Sequence, residues 1–228
     1  MKVIECKKID TEKHDNITYI RIEPENLAVT LRDIITSLSD QSWISRFDKL
    51  YIRNSFQKRA EDTAKYLANK ILKEDDDKIT EDSGEYVVSE LAREALVTEL
   101  NYIDIPLAEL FKEQVSGNPG FDFYSANKEK IIIFGEAKYN SRQNAYGVGM
   151  EQVDRFIREG QDLSDLNDID KFFEEKSLEL ADQGDKAYAI AFASKRTSSE
   201  RIIKGIISNK YYSNISNNKE VIFLAVNI

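Results

Sequence analysis

Hydrophobic positions along the chain recur at two spacings, and these mark the elements. Residues 1–8 and 17–23 (ITYIRIE) read as strands, and Leu27, Leu31, Ile34, Ile35 and Leu38 then mark one face of a helix. Trp43, Ile44 and Phe47 form a short helical turn, followed by a helix from near Ser55 with Ala60, Ala64, Leu67 and Ile71 on its buried face. After a charged stretch, a helix is expected over about 85–100. A second is expected after Asp104, a capping residue, with Pro106 in its first turn. Two strands follow, GFDFYS and KIIIFGEAKY, joined by a polar ANKE turn. Residues 148–159 read as a helix and the acidic segment 161–182 as helical and exposed. AYAIAFAS reads as an apolar strand, TSSERIIKGIISNK as a capped helix and EVIFLAVNI as a buried strand.

Continuous apolar strands alternating with helices predict an α/β fold, with a mixed central sheet covered by helices on both faces. The run EDDDKITEDSG from Glu74 to Gly84 reads as a solvated boundary, and it lacks the glycine and terminal glutamate of a calcium loop. The expected organisation is therefore a small N-terminal α/β region at 1–73, an acidic linker at 74–83 and a main domain at 84–228. The first region is expected to dock a partner or recognise substrate.

Composition narrows the chemistry. Of 228 residues, 41% are hydrophobic and 32% charged, an ordinary globular balance. No apolar run approaches the roughly 20 residues that span a bilayer, and the first residues lack the apolar core of a signal peptide. With Cys6 the sole cysteine and His14 the sole histidine, a structural zinc site and a histidine-based triad are both disfavoured. Cys6 reads as a small apolar strand residue and His14 as a surface histidine. A cytoplasmic setting follows as an expectation. Chemistry is left to carboxylates, lysine, hydroxyls or a hard metal. The net charge of −9 opposes indiscriminate binding to nucleic acid, so a polyanionic substrate would need a metal, a local basic patch or a partner.

Against this background one constellation stands out. Side chains alternate along a strand, so Glu136 and Lys138 share a face with Ile132 and Phe134, and an apolar stripe ends in a carboxylate and an ammonium. If the ANKE turn closes a hairpin, Asp122 falls near Glu136. Two carboxylates at that separation repel, and a hard divalent cation relieves the repulsion. Magnesium takes one or two carboxylates, a carbonyl and waters; the carbonyl is expected from Ala137. On a helical wheel Glu85 shares the stripe of Val88, Ala92 and Leu96, whereas Glu90 and Glu94 read as solvated charges. Glu85 is therefore the expected third acidic residue of the site.

A helix with an early Glu (GEYVVSELA), a strand with Asp (GFDF), a strand with E-x-K (GEAK) and then a helix resembles the PD-(D/E)xK nuclease superfamily over about residues 85–228. The resemblance implies a restriction-endonuclease-like fold. It implies Asp122, Glu136 and Glu85 around one or two magnesium ions (manganese substituting), with Lys138 orienting water or neutralising developing charge. It adds Gln152, in EQVDRF, as a helical site residue, with Phe156 where RecB-type members have Tyr; Phe121 stands where the family has Pro. More narrowly, GE, GFD and FGEAK in this order are similar to the nuclease subunit of Hachiman-type antiphage defence. That implies a DNA endonuclease acting with a helicase. An RNase, or a non-catalytic assembly or nucleic-acid-binding module on the same fold, are the alternatives. Lys195, Arg196, Arg201, Lys204 and Lys210 form a locally basic stretch, and Arg142, Gln143 and Asn144 are candidate contacts to a substrate backbone.

Overall fold

The computed structural model describes residues 1–72, 81–112 and 120–228. Its centre is a six-stranded sheet of β1 (Lys2–Lys8), β2 (Ile17–Glu23), β3 (Phe123–Ala126), β4 (Ile132–Lys138), β5 (Ala187–Ser194) and β6 (Glu220–Asn227), in the order β1-β2-β6-β5-β4-β3. The four inner strands are parallel, and each edge strand is antiparallel to its neighbour. Every residue of β5 is buried, as strands covered on both faces require. Edge strand β1 (KVIECKK) keeps three lysines and only half-covered side chains, which discourages pairing with another chain. Cys6, expected as a small apolar strand residue, is exposed there.

Helices fill both faces. α3 (Glu81–Leu100) lies directly on β3, β4, β5 and β6, with α1 (Leu27–Ser39) and α2 (Leu50–Leu72) packed over it. α5 (Tyr146–Glu159) covers β4 and β5 from the opposite face. Two glycines set these approaches. A β-carbon on Gly84 of α3 would stand 2.2 Å from the Tyr139 ring, and one on Gly149 of α5 would stand 2.8 Å from Ile190. Tyr139 and Lys138 are neighbours of opposite parity, so the tip of β4 is held between two helices.

Several expectations need adjustment. Residues 1–23 do not form a separate layer, because β2 pairs along its length with β6 in the one sheet. Residues 81–83 of the expected linker are already helical, and 74–80 lie outside the described residues. α2 begins at Leu50, ahead of the expected Ser55. The helix expected after Asp104 shrinks to the single turn α4 (Ala108–Phe111), because the Asp104 carboxylate accepts from Arg93 instead of capping. The acidic segment breaks into α6 (Gln161–Ile169), a 3-10 turn and α7 (Glu175–Asp182), and it is not uniformly exposed. Asp162 and Asp165 are buried, as are Ile169, Phe172 and Phe173. α8 (Ser199–Ile207) and α9 (Tyr212–Ile215) complete the chain before β6. Among the described residues no helix is long and apolar enough to cross a membrane.

Arg21 ties the first strands to the rest of the sheet. Its guanidinium, buried on β2, donates to Asn227 Oδ1 (3.0 Å), the Thr197 carbonyl (2.8 Å) and Ser199 Oγ (3.2 Å). Arg21→Ala would leave these acceptors without their donor, at a cost of about 2–4 kcal/mol. The melting temperature is expected to fall by about 5–15 °C; a calorimetric shift below about 2 °C would show that these bonds do not hold the strands.

Candidate active site

The short hairpin of β3 and β4 builds the site. Phe123 pairs with Gly135, and the Asp122 amide donates to the Gly135 carbonyl at 2.8 Å, so Asp122 stands across from Glu136. The Asp122 carboxylate turns back on the strand, where Oδ2 accepts the Ala137 N–H at 2.8 Å. Glu136 is fully buried, and neither of its carboxylate oxygens accepts a hydrogen bond. Lys138 Nζ lies 2.8 Å from Glu136 Oε1, close enough for an ion pair but not aligned as a hydrogen bond, and 3.2 Å from Glu85 Oε1. Glu136 and Lys138 stand at the carboxyl end of a parallel strand, where open α/β sheets place their ligands.

Neighbouring groups fix this edge in place. Asp165 on α6 accepts the Phe121 amide (2.9 Å) and the Tyr124 hydroxyl (2.5 Å), which pins the residues on both sides of Asp122. Gly120 has φ +101°, and a β-carbon there would meet Asp165 Oδ1 at 2.3 Å, so only glycine lets the chain enter so close to this carboxylate. Lys112 Nζ sits 3.6 Å from Asp165 and donates to the Phe121 carbonyl at 3.4 Å. The Ala108 amide of α4 donates to the Asp122 carbonyl at 3.0 Å.

The electrostatics follow from this burial. Desolvation pushes the Glu136 carboxyl well above its usual range, the facing Asp122 adds to the rise, and Lys138 only partly offsets it. Asp122 is raised to about 6, chiefly by burial and further by Glu85, against the pull of Lys138 and the Ala137 N–H. Lys138 is held charged above the lysine range: burial opposes the charge, but Glu136, Asp122 and Glu85 together outweigh it. A fourth carboxylate joins the group. Glu109, on α4, has its Oε2 sealed from solvent without a hydrogen bond, and burial followed by the charge of Asp122 raises it to about 8.

The structure thus brings Asp122, Glu136, Lys138 and Glu85 together. Glu85 differs from expectation in one respect: its side chain is 46% exposed, at the rim of the site beside Lys138 and not within the core. Glu90, expected in solvent, is the buried one. It is 3% exposed, and its carboxylate accepts Arg93 Nε at 2.8 Å and Nη2 at 2.7 Å. The wheel assumed one buried stripe, whereas α3 is covered by the sheet on one side and by α1 and α2 on another. Ala137 meets the site through its N–H, the contact shown above. Gln152 is half-buried, three residues beyond the Gly149 contact, and makes no hydrogen bond to the other four among the described residues. Asn144 is occupied structurally: it donates to Thr197 Oγ1 at 3.0 Å and accepts the Lys195 amide at 2.9 Å. Arg142, Gln143, Arg196, Arg201, Lys204 and Lys210 are exposed. Lys195 is partly covered, with Nζ 5.2 Å from the centre of the Tyr139 ring. His14 stacks edge-on against Tyr212, far in the fold's order from the site. Glu109 escaped the sequence reading because its segment passed as an ordinary helix; the available signal was a lone carboxylate inside the apolar run IPLAELF.

A divalent cation fits these donors. Unsatisfied buried oxygens on Glu136 and Glu109 are what a hard cation would satisfy, and magnesium completes its shell with water and carbonyl oxygen. Among the described residues no group of three His, Cys, Asp or Glu side chains that could hold a metal ion is present; Asp122 and Glu136 face each other as a pair.

The raised carboxyls make the metal-free protein sensitive to pH. A carboxyl whose folded pKa exceeds its unfolded value binds its proton more readily when folded, so stability falls as pH rises between the two values. For Glu109 that window runs from 4.5 to about 8, and for Asp122 from 3.8 to about 6. Glu109→Gln is therefore expected to raise the melting temperature at pH 8 in chelator by about 2–8 °C, with a smaller gain at pH 5. Equal melting at pH 8 would refute a strained Glu109. Compared with family models, with curated proteins and with solved structures, the chain finds no match in any of the three, so the site's chemistry rests on its own groups.

Proposed function

We propose that the chain is a metal-dependent endonuclease that hydrolyses phosphodiester bonds in DNA, on a restriction-endonuclease-like arrangement of the sheet and its helices. The observation that carries this reading is Glu136, a fully buried carboxylate whose two oxygens accept no hydrogen bond, across from Asp122 and beside Lys138. The Lys138 ammonium meets Oε1 at 2.8 Å and leaves Oε2 without a partner, which a divalent cation would supply.

Asp122 and Glu136 would bind the cation, with the Ala137 carbonyl as the backbone donor. The Ala137 N–H keeps the Asp122 carboxylate turned toward the strand tip, which orients it before any ligand arrives. Magnesium bound there would polarise the scissile phosphate and acidify the attacking water. Lys138, kept charged by three carboxylates, has the ammonium to orient that water or to neutralise charge developing on the phosphoryl oxygens. Glu85 positions Lys138 from the exposed rim, and Gln152 stands on the helix packed against the Lys138 stem. With a net charge of −9, delivery of DNA falls to the exposed basic residues of 196–210 and to a partner. The narrower part of the proposal is a nuclease subunit acting with a helicase in antiphage defence; it rests on GE, GFD and FGEAK in this order.

The test is a plasmid-nicking assay with magnesium, run beside a single-stranded RNA substrate. Glu136→Gln and Lys138→Ala are each expected to reduce cleavage about 100-fold or more, and chelation to abolish it. Cleavage that survives both substitutions would end the assignment, and a preference for the RNA would reassign the substrate.

A further inference from the structure

We infer that the cleft between α2 and α6 binds one nucleotide of single-stranded DNA, stacking its base on Tyr51 and holding its phosphate on Arg59 and Lys171. The inference rests on the nuclease reading for its choice of ligand, and it gives the N-terminal region a part in recognising substrate.

The cleft encloses about 260 Å³ between the start of α2, the turn α4, the end of α6 and the 3-10 turn that follows. That lies just below the roughly 300–1,000 Å³ of small-molecule sites, room for one nucleotide and too little for a duplex. Its α2 wall is one helical face, made of Tyr51, Ile52, Ser55, Phe56 and Arg59. Tyr51 is 67% exposed and so stands at the mouth, whereas Phe56 and Phe111 are buried and form the apolar back. An aromatic ring left in water at the edge of a cavity is a stacking platform, because every base has a π-face. A duplex hides those faces in its own stack, so only an unpaired nucleotide can use Tyr51.

The polar lining supplies the charge. Among the described charged side chains of the cleft, Arg59, Lys112 and Lys171 are cations and Asp168 is an anion, in a chain of net charge −9. Arg59 is already oriented, since its Nη1 donates to the Phe111 carbonyl at 3.1 Å, and a guanidinium carries five donors in a fork that suits phosphate. Lys171 is exposed and meets the adjacent Asp170 at 2.9 Å, a weak surface pair that a phosphate can share. Lys112 is matched by Asp165 and donates to the carbonyl of Phe121, one residue before Asp122. The floor of the cleft and the candidate active site therefore share one stretch of backbone. Cations along the phosphates and an aromatic ring under the base are the means by which single strands are gripped without reading sequence.

Fluorescence anisotropy of a short labelled single-stranded DNA, titrated with the full chain in chelator, tests this. Tyr51→Ala is expected to weaken binding about tenfold or more and Tyr51→Phe to retain it. Lys171→Gln is expected to flatten the dependence of log affinity on log salt by about 0.7, the share of one phosphate contact. Lys58→Gln, which removes a cation of α2 outside the cleft, is expected to keep wild-type affinity, and a duplex of the same sequence to bind Tyr51→Ala and wild type alike. Thermal melting of each variant checks that the fold is intact. A second titration uses adenosine monophosphate and inorganic phosphate, read through Trp43, the chain's single tryptophan, whose ring centre lies 5.4 Å from that of Phe56. The monophosphate is expected to change this emission and phosphate alone to leave it unchanged. Undiminished single-strand affinity in Tyr51→Ala, an equal response to phosphate alone, or binding of the monophosphate without the single strand would overturn the inference and leave the nuclease reading in place. Tyr51-dependent binding with no magnesium-dependent cleavage would overturn the nuclease reading and keep the cleft.

Discussion

The geometry of the site depends on a carboxylate that has no part in its chemistry. Asp165, buried on α6, gathers the Phe121 amide, the Tyr124 hydroxyl and the Gln161 side chain, with Lys112 nearby. These donors converge on one side chain, and Asp122 lies in the span between two of them, Phe121 and Tyr124. Remove that anchor and the direction in which Asp122 enters is left to the four-residue ladder to β4, the Ala108 and Ala137 amides and Lys112. A buried charge with this many donors is well compensated. Its value lies in position: it converts a short, inherently loose edge strand into a rigid support.

The groups proposed to react show the opposite balance. Asp165 is satisfied, whereas Glu136 Oε2 and Glu109 Oε2 have no partner and Glu136 Oε1 has only the Lys138 ammonium. The fold therefore concentrates its strain in the groups that a cation would relieve and spends its hydrogen bonds on the shell around them. The two helices that close on the tip of β4, through Gly84 and Gly149, leave little room for the strand to relax away from that strain.

Much of this was legible in the chain. Parity along IIIFGEAK places Glu136 and Lys138 on one face, and the ANKE turn closes the hairpin that brings Asp122 opposite Glu136. Both depend on local rules, the period of a strand and the length of a turn, and local rules survive folding. What the chain concealed depends on what packs against what. Glu90 is buried because α1 and α2 cover a side of α3 that a single-stripe wheel leaves in water. Asp162 and Asp165 look like solvated acid until Lys186, Tyr188, Tyr124 and the Phe121 amide are found around them. Glu109 was hidden for a related reason: its turn meets Asp122 through a backbone contact and not through nearness in sequence. Strand order was hidden too, since no periodicity announces that β2 pairs with β6.

That pairing governs when the sheet can be completed during synthesis. β6 is the sixth strand in sequence and the third across the sheet, lying between β2 and β5. Until residues 220–227 emerge, the β1–β2 hairpin and the β3–β4–β5 group are separate fragments, each with an unpaired inner edge. The closing contacts span nearly the whole chain, a topology that folds slowly and leaves apolar edges open while it waits. The carboxylates and lysine of β3 and β4 are synthesised long before the strand that joins the two fragments. A nascent chain thus carries the residues of the site well before it has the sheet that makes them a single rigid body.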